Sequence, residues 1–198
     1  MKFLTDYHDN IVNFDGLEFE VNPAFDIILE IRQLFEEEEL NERDKITQAL
    51  KMLVVNGNVD KLNIKEQGNL LNTIYKDCVK IQSKPHIKKT LPTVDFDYDG
   101  EYIYSSFMLD YGIDLIEHQG ILPWKKFIAL FQGLSSKTKI REVMRIRNME
   151  IPVYNGKNGK EIREIQELKS FYALPVRGGG GKNGLDALFF ALEKMASN

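Results

Sequence analysis

The residues of this chain best suited to chemistry stand in three short stretches. Asp95, Asp97 and Asp99, spaced by single aromatics and followed by Gly100, reproduce the opening of a calcium-binding EF-hand loop. Counting Asp95 as the first position, the twelfth is Ser106, where such a loop needs a bidentate glutamate, and Pro85 and Pro92 interrupt the region of an entering helix. These acids fit better before a helix starting near Glu101, whose exposed N–H groups favour negative charge. The second stretch holds Asp114, Glu117 and His118, and a histidine oriented by a carboxylate is a general acid–base arrangement. No nucleophile accompanies it. The chain has no nucleophile elbow and no HExxH pattern, and GGGGKN at Gly178–Asn183 lacks the spacing and the Lys-Ser/Thr ending of a phosphate loop. His118 therefore reads as a surface-loop histidine. The third stretch is KTKIREVMRIR, in which Lys137, Arg141 and Arg145 recur every four residues along one helix face. Phosphate binding usually needs a basic domain, whereas the 198 residues carry a net charge of −4. The stretch reads as a solvated basic face with Ile140, Val143 and Met144 turned inward, and no nucleic acid is expected as a partner.

The composition of the 198-residue chain, 43% hydrophobic and 28% charged, is that of a folded globular protein. One cysteine, Cys78, excludes an internal disulfide and a multi-cysteine zinc site, and three scattered histidines add few ligands, so no metal or cofactor is expected. Cys78 reads as a packing residue. No apolar run reaches the roughly 18 residues of a membrane span, and the opening MKFLTDYHDN lacks the layout of a secretory signal, which points to the cytoplasm and away from membranes. Residues 1–80 hold nine basic and sixteen acidic residues, and 81–198 hold seventeen and fourteen, giving −7 and +3. Such asymmetry permits head-to-tail attraction between lobes or subunits. The acidic run Glu36–Glu39 reads as a solvated helix end.

The elements that must position these residues are mainly helical. IVNFDGLEFEV carries Asp15-Gly16, the dipeptide of a type I′ hairpin turn, which sets Phe14 opposite Leu17 and Val12 opposite Phe19. Val12, Phe14, Leu17, Phe19 and Val21 then share one face, to be covered by the next helix, where Asn22 and Pro23 supply cap and first turn and Phe25, Ile28, Leu29, Arg32 and Phe35 form the stripe. Further helices are expected at 43–54, 64–81, 101–111, 123–132, 137–148 and 160–172. Gly112 should end one of them in the left-handed conformation. Trp124, Phe127, Ile128 and Phe131 fall at i, i+3, i+4 and i+7 and should meet Tyr104, Phe107, Met108 and Tyr111. The fold class is mainly α with a small N-terminal β-hairpin, in two small helical lobes. The lobes are 1–82 and 98–175, joined by a basic, proline-interrupted linker at 83–97. A glycine-rich hinge at 176–184 leads to an apolar helix at 185–198, whose Leu185, Leu188, Phe189 and Leu192 form a stripe of about two turns.

YIYSSFMLDYGIDL, the W-x-x-F-x-A-L-x-x-G-L pattern of WKKFIALFQGL and the segment IREVMRIRNMEIP together resemble the bacteriophage gene-product-fifteen family of small proteins of tailed phages and prophages of Gram-positive bacteria. The order of the hairpin, the Phe25 helix, the acidic patch, the basic linker, DFDYD and LKSFYALP is also similar, so the likeness covers about residues 3–175. One departure is Lys125, where family members often carry a second aromatic after the tryptophan. The resemblance brings no catalytic residues. It implies a place between the tail-tube and tape-measure genes, and hence a non-enzymatic tail assembly chaperone that binds the tape-measure protein, with the tail-tube protein and a homo-oligomer as further partners, in the host bacterial cytoplasm. A structural tail completion or joining protein retained in the virion is the alternative. The partner surface is expected to include Leu185, Leu188, Phe189 and Leu192.

Overall fold

The computed structural model describes residues 10–80 and 93–175. These fall into two compact units, 10–80 with 119–128 and 93–118 with 129–175. Most of the expected linker, the glycine-rich hinge and the expected C-terminal helix, with Leu185, Leu188, Phe189 and Leu192, lie outside the described residues. The described fold is mainly α with a small antiparallel sheet near the N-terminus, as the sequence pattern predicts.

In the first unit β1 (Ile11–Phe14) and β2 (Leu17–Val21) pair with Phe14 opposite Leu17 and Val12 opposite Phe19. Asp15 and Gly16 take φ of 48° and 78°, the conformation a type I′ turn demands. Val12, Phe19 and Val21 are buried, whereas Leu17, beside the turn, is 54% exposed. A third strand that alternation alone does not disclose, β3 (Val54–Asn56), pairs with β2 directly after a helix. At three residues it is too short to show a period of two. The helices are α1 (Phe25–Glu36), α2 (Glu42–Leu53) and α3 (Ile64–Ile74), the last running into a five-residue π-helical turn at Tyr75–Val79. The helix α2 packs on both α1 and α3, and α3 packs on β1, so the sheet's cover comes from further along the chain than the adjacent helix. In α1 the buried arc is Phe25, Ile28, Ile31 and Arg32, rotated from the expected stripe, with Leu29 and Phe35 half-buried.

Asn22 does not cap α1. The residue at the cap is Ala24, without a side-chain bond, and the Asn22 amide donates instead to Gly120 O at 2.9 Å. That bond belongs to a seam tying 119–128 into the first unit. Gly120 N donates to the Asp26 carboxylate, Phe25 N to Leu122 O and Trp124 N to Pro23 O, and Ala24 bridges Pro123. On this seam Phe127 stacks on Phe25 with ring centroids 4.8 Å apart and on Trp124 at 5.7 Å. Trp124 therefore belongs to the first unit rather than to the lobe 98–175, because backbone pairing with Pro23–Phe25 fixes where its ring lies. Lys125, at the family departure, donates to Asp77 O at 2.5 Å.

The second unit contains α4 (Gly100–Tyr111), the last turns of α5 (Trp124–Gly133), α6 (Lys139–Asn148) and α7 (Gly159–Phe171). Gly112 ends α4 with φ of 64°, in the left-handed region as expected. Its partner packing is α4 on α6, with Ile103, Phe107, Ile140, Val143 and Ile146 buried, and Phe96 against Phe131 at 5.5 Å.

Two glycines separate steric crowding from backbone strain alone. Gly57 has φ of 140°, and a Cβ there would stand 2.5 Å from Phe19 Cδ1, in the core; Gly112 has open space around its Cβ position. Gly57→Ala should cost at least about 2 kcal/mol, from strain and overpacking together. Gly112→Ala should cost about 1 kcal/mol, from the left-handed backbone only. Urea denaturation measures both, and equal losses would contradict the assignment.

Candidate protein-binding surface

The basic helix turns Arg141 and Arg147 toward neighbouring helix ends. Arg141 donates to Leu134 O and Phe131 O, each at 3.2 Å, and to Gln132 O, satisfying the last carbonyls of α5. Arg147, its side chain 7% exposed, donates from Nη1 to Asp99 Oδ2 at 2.6 Å and from Nη2 to Asp99 Oδ1 at 2.8 Å. It also donates to Thr93 O and, from Nε, to Tyr172 O at the end of α7. Lys169 of α7 caps α6 in return, donating to Arg147 O and Met149 O. Helix C-termini leave orphan carbonyls and a negative dipole end, and these cations satisfy both. The expectation of a solvated basic face holds for Lys137 and Arg145, which are exposed, but not for Arg141, which with Arg147 holds helix ends. The inward row is Ile140, Val143 and Ile146, with Met144 half-buried.

The three aspartates form a structured turn. Asp95 Oδ1 accepts from Asp97 N and Tyr98 N, while Asp99, wholly buried, accepts from Asp95 N as well as from Arg147. Ser106, at the twelfth position, accepts from Ile140 N at 3.2 Å and so serves the first turn of α6. The acid–base set is not assembled either. His118 Nδ1 lies 2.7 Å from the backbone oxygen of Asp114, and the Asp114 carboxylate instead accepts from Tyr104 Oη, Ile116 N and Glu117 N. His118 is half-buried rather than openly exposed. Burial pushes the Asp114 pKa upward, but these hydrogen bonds outweigh it and hold the carboxyl below its ordinary value. Burial raises the Cys78 thiol to about 11, against the opposing pull of Lys125, which leaves it in the packing role expected for it. Among the described residues no group of three or more His, Cys, Asp or Glu is placed to hold a metal ion, and no helix is long and apolar enough to cross a membrane. An open depression of about 560 Å³ lies over β3 and the loop after it, lined in part by Lys51 and Asp60, which pair with each other at 3.6 Å.

What the second unit does present is apolar surface. No residue of α7 is buried. Its apolar residues recur every three positions: Ile162 and Ile165 are half-buried, Leu168 is 42% exposed and Phe171 is 73% exposed. The chain leading into α7 is irregular and exposes Ile151, Val153 at 89% and Tyr154. The spacing of this row is visible in the sequence, which predicts the helix without singling the row out; nothing in the sequence alone shows that a helix of this pattern is left uncovered.

A family model described as "Bacteriophage Gp15 protein" matches residues 5–174. The chain belongs to this family. No curated protein and no solved structure matches it. Membership makes this chain a bacteriophage protein and points to a structural or assembly role.

This geometry is open to three measurements. Arg147→Met should destabilise the second unit by about 3–5 kcal/mol, the loss expected when a buried charge keeps no partner, and Asp99→Asn combined with it should recover part of that loss. Additive losses in thermal or urea melts would show the pair to be uncoupled. Because Asp114 has a depressed pKa, its turn gains stability that is fully present above the ordinary Asp range and is lost as pH falls through the lower folded value; nuclear magnetic resonance shifts of Ile116 and Glu117 amides should titrate below that ordinary range. Cys78 should react slowly with a thiol reagent at pH 8 until the protein unfolds, and fast labelling of the native chain would contradict its burial.

Proposed function

We propose that this protein is a non-enzymatic tail assembly chaperone that acts in the host bacterial cytoplasm and binds the tape-measure protein while the tail tube grows. The observation that carries this reading is the exposed pair Leu168 and Phe171 at the end of α7, together with the exposed apolar lead-in at Ile151–Tyr154, on a unit whose buried side-chain polar atoms all have partners among the described residues. Exposed apolar side chains one turn apart, as Leu168 and Phe171 are, suit an amphipathic helical partner, which docks through its own apolar face. Exposed rings and aliphatic side chains on a globular unit mark interaction surfaces more often than chemistry. The residues that could have served an acid–base mechanism serve structure instead: Asp114 orders a turn, and Asp99 holds Arg147. Family membership agrees with an assembly role.

Co-expression tests the proposal. The intact chain should keep the phage's tape-measure protein soluble and co-purify with it, and the variant Leu168→Asp with Phe171→Asp should do so markedly less well while melting like the parent. Failure of the intact chain to co-purify would count against the chaperone reading. Mass spectrometry of purified virions should then find the tape measure but not this protein; its retention at stoichiometric level would favour a joining or completion role.

A further inference from the structure

We propose that the outer face of α4 docks a cationic amphipathic helix of another protein. The helix itself defines the face. At about 100° per residue, Glu101, Ser105, Met108 and Leu109 fall within an arc of about 100°, and Ile103, Ser106 and Phe107 fall in an arc roughly opposite. The latter three are buried, and Ser106 Oγ accepts from Ile140 N, so that side looks at α6 and the other at solvent. Met108 is 40% exposed and Leu109 66%, and Tyr98 just before the helix and Ile116 after it are exposed as well. A helix packed by one side usually turns polar residues outward, whereas α4 turns Met108 and Leu109 outward. Ser105 and the C-cap Gly112 stand one turn to either side of this pair on the same face. Such small residues leave grooves beside the Met108–Leu109 ridge, into which the side chains of a second helix fit.

Charge selects the occupant. From Thr90 to Trp124 the chain holds seven acidic residues and no lysine or arginine. Asp99 is paired with Arg147, but Glu101, on the face itself, and Glu117 meet no lysine or arginine among the described residues. Tyr104, one turn before Met108, donates to Asp114 at 3.1 Å and so holds the turn bearing Asp114, Ile116 and Glu117 along that flank of α4. On the other flank Tyr102 meets the ring of Tyr172, whose hydroxyl accepts from Lys139, and that lysine is itself paired with Glu142 at 3.0 Å. An apolar face with an acidic border repels nucleic acid and anionic lipid, and it favours a helix whose apolar side is bordered by lysine or arginine. A second copy docking α4 on α4 across a two-fold axis would set this acidic face against itself, which like-charge repulsion disfavours. The face is separate from Leu168 and Phe171 and does not rest on the role proposed for them.

Nuclear magnetic resonance of the full-length protein tests the docking with two probes: an amphipathic helical peptide of leucine and lysine about four turns long, and its counterpart with glutamate for lysine. The lysine peptide should shift amides within 98–117 and bind at least about tenfold more tightly than the glutamate peptide, with an affinity that falls as salt rises to about 0.3 M. Met108→Lys with Leu109→Lys, both at exposed positions, should melt like the parent and bind the lysine peptide at least about tenfold more weakly. Glu101→Lys with Glu117→Lys should weaken it by about threefold or more, and Phe171→Asp should leave it unchanged. Equal binding of the two peptides, or shifts centred on 151–171, would overturn the proposal. Shifts at Met108 and Leu109 that grow with protein concentration in the absence of peptide would overturn it in favour of a second copy.

Discussion

Arg147 is the group on which the second unit depends. A guanidinium offers five N–H donors in a rigid fork, and here it reaches both carboxylate oxygens of Asp99, the carbonyl of Thr93 and that of Tyr172. It thereby joins the turn before α4, its own helix α6 and the end of α7. A buried ion pair gains little over a well-packed apolar pair, but breaking one is costly because the remaining charge is stranded. That asymmetry makes the pair a specifier of arrangement: alternatives that separate Asp99 from Arg147 are excluded more strongly than the native arrangement is favoured. Asp99 in turn can be wholly buried only because Arg147 and Asp95 N meet its oxygens.

The same device repeats at smaller scale. Arg141 closes α5 and Lys169 closes α6, and in the first unit Lys45 donates to Phe35 O at the end of α1. Each cation sits on a different element from the carbonyls it serves, so each cap is also a tie between elements. Two of the arginines of α6 are thereby engaged at helix ends rather than in water. Four-residue periodicity reports which residues share a side of a helix, and it cannot report whether that side looks at water or at another helix's end.

Local chemistry was largely legible in the sequence. Asp15-Gly16 fixed the hairpin register, Gly112 marked the end of α4, and the positions of the seven α-helices among the described residues followed from apolar spacing and caps. What escaped was non-local. Trp124 carried the right signal for burial but the wrong partner, because the bonds from Phe25 N to Leu122 O and from Trp124 N to Pro23 O join backbone groups nearly a hundred residues apart, and backbone groups are the same in every sequence. Asn22 looked like a cap for the same reason: its amide is equally suited to a helix N-terminus and to Gly120 O. The row on α7 was legible as spacing, but its exposure depends on what the rest of the chain leaves bare.

That exposure arises from how α7 is held. Its fixation is mostly polar: Lys169 reaches the end of α6, Tyr172 O accepts from Arg147, and Tyr172 Oη accepts from Lys139 at 2.8 Å beneath a cation–π contact of 4.9 Å to the ring. The bond to Tyr172 Oη, and a second to Glu142, keep the Lys139 ammonium above its ordinary pKa and therefore charged throughout the physiological range. A helix anchored by burial must hide its apolar face to stay in place. A helix anchored by charged contacts at one side and one end can leave Leu168 and Phe171 open without losing its position. The unit thus separates the groups that fix α7 from the apolar side chains that α7 exposes.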